Sequence, residues 1–232
     1  MRSEFKDLLA RRRSIRAFTG DRVDRATLER ILMAARQAPS GANLQPGKFH
    51  VLTGPALNRL KARLTLAMER DEPMGSEYSY FPDKMSAELK ERQRRAGFAL
   101  YEALGIQRRD VEGRRAQFAK NYAFFDAPVG IIATIDRDMG KGCFMDLGMS
   151  IMALLLSVEA EDLGATGIGA LANYGAIVHA HLGLPAGEMV VCGIALGVPD
   201  HKARVNQFRT ERQELADFTT FAGFDDEDPA AS

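Results

Sequence analysis

Residues 128–135, Pro-Val-Gly-Ile-Ile-Ala-Thr-Ile, form a short apolar run without a charge. Its length and its Val and Ile content suit a strand buried on both faces better than a helix. A second such run, Met-Val-Val-Cys-Gly-Ile-Ala-Leu-Gly, occupies residues 189–197. Between the two lie a long apolar helix expected over 143–163, a glycine-rich loop and a shorter helix near 175–182. Helices and strands therefore mix without regular βαβ repetition, and the expected fold class is α+β.

Outward from this centre, the most apolar stretch, 147–158, is 12 residues long and flanked by Asp146 and Glu159. A bilayer needs about 20 apolar residues, so this reads as a core helix. Apolar residues surround it on nearly every side, which predicts packing on more than one side, one of them open to a second subunit. Towards the N-terminus a helix is expected over 3–12. A second helix, capped by Asp24 or Thr27, carries Leu28, Ile31, Leu32 and Ala35 at helical spacing and stops at Pro39. Residues 38–46 read as a loop, 49–53 as a strand closed by Gly54-Pro55, and 57–69 as a helix. The charged stretch at about 70–118 is broken by Pro73, Gly75, Pro82 and Gly105 and reads as a lid or insertion with one helix near 86–104. After Pro199, Phe208, Phe218, Phe221 and Phe224 have no local packing face, so this segment is expected to wrap over another surface. The organisation expected is one domain over 1–224 and an acidic, flexible tail at 225–232.

The chain has 31 basic and 31 acidic residues and a formal net charge of +0, which points away from nucleic acid or an anionic membrane and towards a small-molecule partner. Cys143 and Cys192 are too few for a disulfide framework, and the N-terminal residues lack the apolar core of a secretory signal, so a cytoplasmic location is expected. No metal site is expected: His179 and His181, two apart on a helix, do not face one ligand.

Two motifs carry chemistry. Arg12-Arg13-Ser14-Ile15-Arg16 sets three guanidinium forks and a hydroxyl just beyond a helix, a donor set for phosphate oxygens, although a solvated basic turn has the same composition. Some twenty residues on, Ala38-Pro39-Ser40-Gly41-Ala42-Asn43-Leu44-Gln45-Pro46 combines small residues, which let backbone approach a flat ligand, with Asn43 and Gln45, which donate to and accept from the edge of a heterocycle. An ordinary loop at a helix end also fits. Together, however, the two resemble the opening of the FMN-dependent nitroreductase family, an RRSxRxF segment followed by APSxxNxQPW. Later strings continue the resemblance: NYAFFDAPV at 121–129, Asp146-Leu147-Gly148, GATGIGALAN at 164–173, LGLP at 182–185, GIALGVP at 193–199 and NQFRTERQEL at 206–215. They are most similar to the nitrobenzoate and nitrobenzene reductase-like members. The family's Trp after Gln-Pro is Gly47 here, and residues 55–118 are weakly covered.

The resemblance implies a central, mostly antiparallel sheet flanked by helices, with the C-terminal segment exchanged across a homodimer. It implies that Arg12, Arg13, Ser14, Arg209 and Arg212 bind the FMN phosphate and ribityl chain, and that Arg16 lies near the pyrimidine. Pro39, Ser40, Gly41, Asn43 and Gln45 would serve the isoalloxazine of the partner subunit, and the backbone of Ala170, Leu171 and Ala172 would run past flavin N5. The implied reaction is ping-pong reduction of small nitroaromatics, with quinones as a second class, by NADH or NADPH. Flavin N5 carries that chemistry, so no catalytic side chain is expected. Phe81, Tyr101, Phe124 and Phe125 are candidate walls for a planar substrate. Two rival readings are a flavin-dependent reductive dehalogenase of the same fold and a flavin-binding sensor without turnover.

Overall fold

The computed structural model describes residues 2–223; Phe224 and the expected tail at 225–232 lie outside them. Four strands form one sheet: β1 (Lys48–Thr53), β2 (Val129–Asp136), β3 (Gly164–Ile168) and β4 (Glu188–Gly197). Their order is β1-β2-β4-β3, and every neighbouring pair is antiparallel. The two apolar runs are thus the two central strands. Val129 to Ile135 are buried without interruption because helices cover both faces. Adjacent residues Ile131 and Ile132 accordingly belong to different cores.

On one face pack α3 (Gly54–Glu69) and α7 (Gly175–Leu182), through Leu57, Leu60, Leu64 and Val178. On the other pack α2 (Arg25–Ala35) and α6 (Lys141–Ala160), through Leu28, Ile31, Leu154 and Val158. Gly54-Pro55 closes β1, as read from sequence, and also forms the first turn of α3, where proline's missing N–H costs nothing.

Before α2 runs α1 (Arg2–Arg11); between α3 and β2 lie α4 (Ala87–Leu104) and α5 (Val111–Ala119). After β4 come a helical turn at Arg204–Asn206 and the short helix α8 (Leu215–Phe218). Ser86 caps α4 by accepting from Leu89 N, and Gly105, at φ 69°, ends it. The second helix of the insertion, α5, was not legible in the sequence.

Phe124 and Phe125 are not pocket residues, as proposed from sequence, but core. Both are buried, in left-handed backbone that runs from Phe124 to Asp126. A methyl added at Gly130 or Gly193 would meet the Phe124 ring at 3.1 or 3.2 Å, so that ring lies directly on the central strands.

The apolar helix α6 has two unlike faces. Leu147, Leu154 and Val158 are buried, and Ser150 Oγ donates to Ala35 O at 2.9 Å, whereas Met145, Met149 and Met152 are exposed. Within one chain α6 packs on α2, α1, β3 and the turn Gly41–Asn43, and its methionine face stays open. Among the described residues α6 is the one helix whose length and composition would let it cross a membrane.

Candidate active site

The arginine motif leaves α1 and enters the sheet edge. Ile15 N donates to Ala165 O at 3.0 Å, and Ser14 bridges Ala165 in parallel. Extended backbone alternates its side chains, so Ile15 is buried while Ser14 and Arg16 stay partly open. The C-terminal segment is stapled to this run by Asn206, which is 1% exposed. Asn206 Oδ1 accepts from Arg16 N at 2.8 Å, and its Nδ2 donates to Ala17 O at 2.7 Å and Asp200 O at 2.9 Å. In the sequence Asn206 stands out only as the start of the string at 206–215. Its side chain fixes where the arginines that follow can lie.

The result is a cavity of about 630 Å³ whose lining includes Arg12, Arg13, Ser14, Arg16, Arg209 and Arg212. Six residues predicted from opposite ends of the chain meet there. Arg209 also donates to Ala10 O, and Arg212 to the Thr210 hydroxyl at 2.8 Å. Among the described residues none of the five arginines is in an ion pair. Burial, followed by repulsion from Arg212 and Arg209, pulls the Arg12 pKa below its ordinary value, against Glu159, which acts the other way. Burial lowers Arg16 as well. Two partly desolvated guanidinium groups and three more arginines, none of them in a described ion pair, suit an anion with several oxygens, and the donor set fits a phosphate-bearing cofactor such as FMN.

The structure does not bring the other predicted residues into this cavity. Pro39, Gly41, Asn43 and Gln45 lie exposed around the helical turn Gly41–Asn43. Gly41 N donates to Asp146 Oδ2 at 3.1 Å, and Ser40 Oγ accepts from Gln45 N at 2.9 Å. Ala170, Leu171 and Ala172 lie in the turn Gly169–Tyr174 after β3, anchored by the fully buried Leu171 side chain. Among the substrate candidates, Phe81 is exposed and packs edge-on against Tyr80 at 5.0 Å, and Tyr101 is half-buried on α4.

A strap within the segment read from sequence as a lid or insertion covers the Gly169–Tyr174 turn. Gly75 N donates to Asn173 O at 2.8 Å, Glu77 pairs with Arg137, and the Tyr80 ring lies against Gly169. Tyr78 Oη donates to Val191 O at 2.7 Å. Val191 is the extra residue where the β2–β4 register shifts, so Tyr78 supplies a bulged carbonyl with a partner. Burial pushes the Tyr78 hydroxyl up to about 12.

The profile of the Nitroreductase family matches residues 9–198, a span that holds the sheet, the first arginine motif and the loop after α2. The chain belongs to the Nitroreductase family. Among its relatives in that family is a 4-nitrobenzoate reductase of Pseudomonas putida, 34% identical over 96% of this chain and 97% of the relative. A chloronitrobenzene nitroreductase of Comamonas testosteroni is 36% identical over 93% and 95%. The crystal structure of the FMN and NADPH-dependent nitroreductase NfnB from Sphigopyxis sp. strain HMH aligns with a TM-score of 0.91, at 38% identity over 94% of this chain and 99% of that one. This nitroreductase chain departs from the family motif at Gly47, and the structure gives the reason: at φ 87°, an added methyl would meet a Leu147 methyl at 2.6 Å.

Proposed function

We propose that the protein is an FMN-dependent NAD(P)H oxidoreductase that reduces nitroaromatic compounds, acting in the cytoplasm as a homodimer. The observation that carries the reading is the cavity in which Arg12, Arg13, Ser14 and Arg16 meet Arg209 and Arg212, joined to the family match over residues 9–198. In this reading Arg12, Arg13, Ser14, Arg209 and Arg212 hold the FMN phosphate and ribityl chain, and Arg16 lies beside the pyrimidine. The chemistry FMN supplies when bound is acceptance of hydride from the nicotinamide and its delivery as electrons to the nitro group. A guanidinium stays protonated even when burial lowers its pKa, so Arg16 offers a fixed positive charge where negative charge gathers. The Gly169–Tyr174 turn offers backbone N–H groups whose position is held by the Leu171 anchor and the strap.

The exposed methionines of α6, with Leu44, Phe218 and exposed α1 residues Phe5 and Leu9, support a homodimer, because so much open apolar surface calls for a partner. A second copy would cover it and bring Ser40 and Asn43 to the flavin of the other subunit. NADPH is the favoured donor, by similarity to the NADPH-dependent structural relative.

The test is direct. Purified protein is denatured and the released flavin identified, and NADPH oxidation is followed with a nitroarene. FMN, turnover and parallel double-reciprocal lines are expected. FAD, or flavin without turnover, overturns the reading; halide release from a haloaromatic without nitro reduction makes it a dehalogenase.

A further inference from the structure

The loop after α2 is folded against its own backbone preferences. Ala42 has φ 50°, Asn43 φ 56°, Gln45 φ 49° and Gly47 φ 87°, so four of six consecutive residues are left-handed and three of them carry side chains. Such backbone persists only where the surroundings impose it, and clusters of it mark functional positions. Gly41 N is held by Asp146 on α6, and Gln45 N by Ser40 Oγ. A third hold comes from the C-cap residue of α2: Arg36 Nη1 donates to Gln45 O at 2.9 Å and Arg36 Nη2 to Gly47 O at 3.0 Å.

We infer that Arg36 is a positioning residue that forks across two left-handed carbonyls and so holds the Ser40–Asn43 backbone in the form that receives the flavin. Each nitrogen takes one carbonyl, and the two carbonyls belong to the residues that end the unfavourable run. Lysine has a single ammonium on a flexible stem and cannot reproduce a planar fork. Arg36 has no place among the five arginines of the cavity. It acts through the loop alone, and the inference rests on the reading that this loop touches FMN.

The test compares Arg36→Lys and Arg36→Met with Ser40→Ala and Asn43→Ala. In each, FMN affinity, the visible spectrum of the bound flavin and amide exchange over residues 41–47 are measured on the dimeric holoenzyme and after flavin removal. Arg36→Met should accelerate exchange at Gly41 and Gln45, weaken FMN about tenfold, equivalent to about 1.4 kcal/mol, and move the bound spectrum towards that of free flavin. Arg36→Lys should keep the fold, leave β1 exchange unchanged and fall between Met and wild type. If Asn43→Ala or Ser40→Ala weakens FMN while Arg36→Met leaves affinity and spectrum as in wild type, the Arg36 inference is overturned and the loop reading stands. If none of the four changes FMN binding, the loop reading falls and takes the inference with it.

Discussion

Residues 72–80 and α4 are neighbours in one charged stretch, yet they are held in opposite ways. The first is tied to distant parts of the fold: Glu72 to Arg63 at 2.9 and 2.8 Å, Gly75 to Asn173, Glu77 to Arg137, Tyr78 to Val191. The second is held by its own Ser86 cap and the pairs Glu88–Arg92 and Glu91–Arg94 and rests on residues 204–206, and it has no buried side chain. Its described ion pair outside its own helix joins Arg95 to Glu211 in the C-terminal segment, at 3.3 Å. Hydropathy treats the two alike. The difference is one of contact range, and it predicts separate opening equilibria, with α4 the easier to release.

The harshest way to break this comparison is to end the chain at Gln207. The Asn206 staple survives, but Arg209, Arg212 and Glu211 are lost. Two charge-assisted contacts contribute about 1.5–3 kcal/mol each, so FMN retention should fall by more than about a hundredfold, and light scattering should report a smaller particle. Amide exchange should quicken through α4 and stay unchanged over 72–80. Equal quickening in both would show that they form one unit.

Arg212→Ala is the narrower cut. Flavin affinity should drop about tenfold to a hundredfold with α4 exchange unaltered, as measured by fluorescence titration.

The smallest effect should come from the strap. Tyr78→Phe strands the bulged Val191 carbonyl, at a cost of about 1–2 kcal/mol, and should loosen 72–80 but leave α4 as it was. The pH dependence follows from burial, which raises the folded pKa of Tyr78 to about 12, above an unfolded value of about 10. Neutral tyrosine is favoured in the folded state, so this stabilisation is whole below pH 10 and is lost as pH rises through 12. Tyr78→Phe should therefore flatten the loss of thermal stability between those values; an unchanged slope would place the titrating group elsewhere.

What was legible in the sequence followed from repetition and burial. The strands β2 and β4 could be read because a strand covered on both faces is apolar at every position. The start of α2 was legible as a cap at Asp24 or Thr27, and the structure chooses Asp24, whose Oδ1 accepts from Thr27 N at 2.9 Å. The Arg12–Arg16 motif was legible as chemistry, while Arg209 and Arg212 entered only through the resemblance. That they share one cavity was an expectation drawn from resemblance, since nothing local to either says so. Asn206, Arg36 and Tyr78 escaped notice for a common reason: each satisfies backbone groups far along the chain or across a turn, and such partners leave no periodic trace. Phe124 and Phe125 were misplaced because an aromatic pair has the same composition on a pocket wall as on a sheet, and only the left-handed turn that buries them separates the cases.

Five guanidinium groups facing one cavity have a consequence for the life of the chain in a cell. Until an anion arrives, burial, and to a lesser degree repulsion from Arg212 and Arg209, weighs on the charge of Arg12. Ligand that binds only the folded form stabilises it by mass action. A chain without its flavin is then less stable than one that holds it, and opens more often.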